Sequence, residues 1–179
     1  MKITLYALAI DTFAPVLSTL AGLLEKGAAH ARAEGTNPAA LTQARLAPDM
    51  FPLSTQVQLA CHHAKDGTAR LSGAAPPKIE NKELTLDQLE ALVKRTATHL
   101  RGIKETAFAG AEDRVIEMPL QGSTVFKSNG IQFLRDWSIP NFYFHVVTAY
   151  DILRNSGVEV GKRDYLKHIG PYLRQRGDS

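Results

Sequence analysis

The sequence predicts an all-α protein, a four-helix bundle interrupted by one small β-hairpin. Three observations carry this. Four long segments place apolar residues at helical spacing. Gly35, Gly73 with Pro76-Pro77, and Gly157 punctuate their ends. A single stretch, 114–128, changes to short β-prone runs. At 179 residues the chain can bury a full core once and is short for two, so 1–179 reads as one domain.

The first segment, from about 4 to 34, has its stripe at Leu5, Leu8, Thr12, Val16, Leu20 and Leu23. Pro15 lacks an amide hydrogen and should kink or divide this helix. Gly35 ends it, and Thr36-Asn37-Pro38 can cap a short turn. After a loop bounded by Pro48 and Pro52, Ser54 or Thr55 can start the second long helix, which runs to about Ser72. Its stripe is Leu53, Val57, Ala60, Ala64 and Leu71. At about 100° per residue, His63 falls on the flank of that stripe and His62 opposite it. The third helix has the clearest start: Thr85 and Gln88 form a capping box, with Leu84 and Leu89 as its hydrophobic staple. Residues 114–120 and 124–127 flank Gln121-Gly122-Ser123 as a hairpin, with Pro119 confining its strand to an edge. Ser138 should cap the last helix, where Pro140 is tolerated in the first turn.

Hydrophobic residues at 44% and charged residues at 22% are ordinary globular values. The net charge of +3 is mildly basic, but lysines and arginines are dispersed among acids. The one denser group, Lys162, Arg163, Lys167, Arg174 and Arg176, lies in the tail, so no nucleic-acid partner is expected. A single cysteine, Cys61, excludes an internal disulfide; it reads as a small buried side chain or a reactive thiol. The N-terminal apolar run has a faint signal-peptide look that Asp11 cuts short. No run approaches the roughly 18 apolar residues that a spanning helix needs. A cytoplasmic protein without a membrane partner is the expectation.

The chemistry-bearing residues gather on the last helix, 139–154. Asn141, His145, Thr148 and Ile152 lie within roughly 60° in projection, flanked by Phe142, Phe144, Val147 and Leu153. Buried polar atoms in such a stripe need partners. Three readings stay open: a core histidine satisfied by hydrogen bonds, a ligand pocket with His145 at its base, or a metal site. A zinc or nickel site in a bundle usually needs three nitrogen or oxygen ligands, often two histidines one turn apart. One turn from His145 stand Asn141 and Ala149, and neither replaces a histidine. His63 could approach from the second helix. His30, His99 and His168 fall near helix ends or in the tail. Tyr143, Tyr150 and Trp137 read first as packing residues. No phosphate loop, nucleophile elbow or His-Glu-x-x-His motif occurs, and no catalytic residue is assigned.

Three stretches carry a resemblance: 24–31, 50–65, and Pro140-Asn141-Phe142-Tyr143-Phe144-His145 through Leu153-Arg154, continuing to Tyr165. They resemble an uncharacterised, domain-of-unknown-function branch of the DinB/YfiT-like superfamily of metalloenzymes. The resemblance implies a DinB-like four-helix bundle, often a homodimer. Better known members hold a divalent metal with one histidine from the second helix and two, four residues apart, from the last. Some are thiol-dependent transferases or isomerases. In this chain His145 matches the second of the paired histidines, and His62 or His63 the one on the second helix. Asn141 stands where the remaining histidine belongs. The expected function is therefore a metal-free bundle that binds a small molecule, or dimerises, around His63, Asn141 and His145. The alternative is a metal-dependent enzyme with a degenerate zinc or nickel site.

Overall fold

Thr4 accepts the Ala7 amide at 3.1 Å and so caps α1 (Leu5–Ala33), a helix of 29 residues. In this computed structural model, residues 3–79 and 82–174 are described; Arg176 of the tail lies outside them. Pro15 does not divide α1, which continues unbroken through it. The helix carries an 18-residue window of mean hydropathy 1.7, long and apolar enough by composition to cross a membrane. That corrects the sequence expectation that no segment reaches this length. The bundle accounts for the composition: 61% of the window is buried inside the protein, and Phe13, Leu17, Leu20 and Leu24 are fully enclosed.

A short α2 (Pro38–Gln43), capped by Asn37, leads to α3 (Leu53–Ser72). Pro52, and not Ser54 or Thr55, occupies the position before α3, and no side chain caps it. Gly73 ends α3 in the left-handed conformation at φ 73°, which favours glycine. The capping box of α4 (Leu86–Arg101) is present with both bonds: Thr85 N–H to Gln88 Oε1 at 2.9 Å, and Gln88 N–H to Thr85 Oγ1 at 3.3 Å.

Strands β1 (Ile116–Pro119) and β2 (Val125–Ser128) pair antiparallel, with Ile116 opposite Ser128 and Pro119 opposite Val125. Ile116 and Met118 point into the core. Phe126 packs on Phe133 (centroids 6.3 Å apart) and on Trp137 (5.0 Å), which ties the hairpin to the bundle.

The last long helix differs from the expectation. Helix begins at α5 (Gly130–Phe133), capped by Asn129, and passes through a π turn (Leu134–Ser138) into α6 (Ile139–Asn155). Ser138 has helical φ and ψ and caps nothing. The cause is Pro140: its ring would crowd the carbonyl four residues back, and the widened turn ahead of it makes room. The Ile139 amide accordingly bonds Leu134 O, five residues back.

The four long helices share one hydrophobic cluster. α1 packs chiefly on α4 and α3 on α6, with α3–α4 contacts joining the two pairs. A short α7 (Lys162–Tyr165) is fastened to α1 by the Lys26–Asp164 ion pair at 2.7 Å. The fold is an all-α bundle with a two-stranded insertion.

Candidate functional site

The α3–α6 seam brings together two of the three residues singled out from sequence. His63 and His145 stack with nearly parallel rings, centroids 5.2 Å apart at 11°. His145 is 8% exposed, within the polar stripe that also buries Thr148. Thr148 is satisfied within its own helix, donating to Phe144 O at 2.7 Å. Asn141 is half-buried and donates through Nδ2 to Trp137 O at 2.8 Å, again on its own helix. No hydrogen bond joins it to either imidazole among the described residues. Phe142 and Leu153 are core, but Phe144 is 58% exposed and Val147 39% exposed. Phe144 is therefore not a core ring; this side of α6 faces outward.

Sequence reasoning missed the residue that fixes His145. Gln56 of α3 is 1% exposed, and its Oε1 lies 2.7 Å from His145 Nδ1. Its Nε2 donates to Phe51 O at 3.2 Å. A carbonyl only accepts, so the amide's NH2 end must face Phe51 and its oxygen must face the ring. Nδ1 of His145 therefore carries the proton, and Nε2 is left with its lone pair. The only early sign was a glutamine beside Val57 on the flank of the α3 stripe, seven residues before His63.

Burial pushes the His145 imidazole down to about 4, helped by the neighbouring His63 and His62 charges. Burial likewise pushes His63 down to about 4, with His62 adding to the fall and Asp66 opposing it. Both rings are neutral near pH 7 and can serve as hydrogen-bond partners or bases without being cations. His62 touches His63 edge-on at 5.5 Å, and burial lowers its pKa too. Its Nδ1 is buried with no partner among the described residues.

A metal set of three does not assemble. Among the described residues no group of three or more His, Cys, Asp or Glu could hold an ion. Two imidazoles and an amide whose nitrogen already serves Trp137 do not fit a three-nitrogen centre. Cys61 is buried, and burial pushes its thiol up to about 11 despite a Thr96 hydrogen bond and the Lys65 and Arg95 charges. It is a packed thiol and not an activated nucleophile.

Residues 5–166 match the family DUF1993, a domain of unknown function. No curated protein matches the chain. A crystal structure of a DinB family member protein from Shewanella denitrificans is similar at 40% identity and a TM-score of 0.81. The match covers 90% of this chain and 91% of that one. With the family spanning most of the sequence and the bundle reproduced over the same length, this chain belongs to the DUF1993 family and has the DinB-like fold.

Proposed function

We propose that this protein is a metal-independent DinB-like bundle that binds a small protic molecule beside the paired imidazoles of His63 and His145. The observation that supports it is the Phe51–Gln56–His145 chain. That chain holds His145 in one tautomer and leaves Nε2 as an open acceptor beside a second neutral ring. A hydroxyl or amine donor would satisfy that lone pair, and burial would strengthen the bond. Asn141 Oδ1, whose amide nitrogen is committed to Trp137, adds a further acceptor on the same helix face.

Metal analysis of protein purified without a histidine tag tests the reading. Metal well below one ion per chain is expected. Stoichiometric zinc or nickel, lost on His145→Ala, would overturn it.

A second reading has one observation in its favour. Metal-bound histidines donate their other ring N–H to a fixed oxygen, and the bond from His145 Nδ1 to Gln56 has that form. Under it the protein is a divalent-metal enzyme of the thiol-dependent transferase type, with water completing a two-histidine site. The same metal measurement separates the two. We also infer a homodimer, supported by exposed Phe144 and Val147, one turn apart on α6. Light scattering should give twice the chain mass, reduced to one by Phe144→Asp.

A further inference from the structure

Beyond Val160 the chain no longer buries a side chain. Val158 and Val160 are core, but no residue of α7 or of the 3-10 turn that follows it, Lys167–Tyr172, is buried. Among the described residues, every backbone hydrogen bond of this segment closes within it. The Asp164 and Tyr165 amides donate to Gly161 O, Leu166 to Lys162 O and Ile169 to Leu166 O. The segment can therefore leave the bundle without breaking a backbone bond to it.

Three side-chain contacts hold it down. Lys26 of α1 pairs with Asp164 at 2.7 Å; Thr19 Oγ1 of α1 lies 3.5 Å from His168 Nδ1; and the Tyr165 ring meets Tyr150 of α6 edge-on, centroids 5.9 Å apart. The ion-paired side chains are 49% and 30% exposed, and such pairs add little in water. Thr19 is itself buried, in a stretch of α1 where Val16, Leu17, Leu20 and Leu23 are core. Among the described residues its hydroxyl has no partner but His168. Between α1 and α7 lies a cavity of about 330 Å³, with Thr19, Gly22 and Leu23 on one side and Asp164 and Lys167 on the other. That volume is at the small end of the roughly 300–1,000 Å³ of small-molecule sites. Few buried contacts and no backbone tie to the bundle are the marks of a part that opens locally.

We propose that residues 161–173 form a strap that lifts as one unit about Gly161 while the bundle stays folded, and so gates this cavity. Amide exchange followed by NMR at increasing urea tests it. Asp164, Tyr165, Leu166 and Ile169 should share one opening step that barely responds to low urea, more populated than that of Leu17 or Val57 by over about a hundredfold. Lys26→Met and Asp164→Asn should each raise this opening about two- to fivefold, and together no more than either alone. Lys94→Met, which removes an ion pair within α4, should leave it unchanged. Thr19→Cys places a thiol beneath the strap, and its reaction with iodoacetamide should speed by the same factor when Asp164→Asn is added. Exchange that follows global unfolding, exchange as fast as in a free peptide, or no response to Lys26→Met would each overturn the strap. An unchanged thiol rate would overturn its gating of the cavity.

Discussion

Replacing Gln56 with leucine removes the acceptor of His145 Nδ1–H while keeping a side chain of similar size at a position 1% exposed. Phe51 O also loses its bond from Gln56 Nε2. The imidazole N–H is left without a partner, at a cost of about 1–3 kcal/mol. For a chain of 179 residues each kcal/mol moves the thermal midpoint by about 2–4 °C, so the shift should lie between about 2 and 12 °C. Calorimetry reads the midpoint, and long-range 1H–15N spectra read the tautomer. The unaltered protein should show His145 protonated at Nδ1, and Gln56→Leu should move population to Nε2–H. Gln56→Glu should instead raise the His145 pKa from about 4, because a carboxylate favours the imidazolium. An unchanged midpoint together with an unchanged tautomer would refute the claim that Gln56 orients the ring.

Acid should weaken the fold through the same pair. His63 and His145 titrate at about 4 when folded and near 6.5 when unfolded, so between those values the unfolded chain holds more protons. Stability from these groups is full above about pH 6.5 and is lost as pH falls towards 4. Urea midpoints across that window should drop, with a shallower slope in His145→Gln. Gly67→Ala should cost about 1–3 kcal/mol, because a Cβ there would meet Ser138 Oγ at 2.1 Å, and Ser138→Ala should restore part of it. Phe142→Ala should cost about 3–5 kcal/mol as a fully buried ring. Phe144→Ala, measured in monomer at low concentration, should stay within about 0.5 kcal/mol because the ring is exposed.

Local chemistry was legible in the sequence, and chemistry completed by distant partners was not. The α4 start could be read because Thr85 and Gln88 satisfy each other within one turn. That His63 could approach the last helix was open to the sequence, since it lies on the flank of an apolar stripe, but the choice between His62 and His63 was not. Ser138 misled because Ser-Ile-Pro resembles a cap. The helix in fact starts earlier, at the Asn129 cap, and runs through Ser138, whose hydroxyl turns to His63 O on α3, far away in sequence. The facing of Phe144 was hidden by a segment apolar on nearly every side, where periodicity has no contrast to report. Gln56 drew no reading from the sequence because its partner lies 89 residues on.

The π turn at Leu134–Ser138 sets the rotational phase of everything that follows it. Its wider ring takes up about one residue more than an α turn, and one residue is about 100° around the axis. The turn therefore absorbs one residue without rotating α6 about its axis. A single-codon deletion there would close it to an ordinary α turn, keeping His145 opposite Gln56 but driving the Pro140 ring against the carbonyl four residues back.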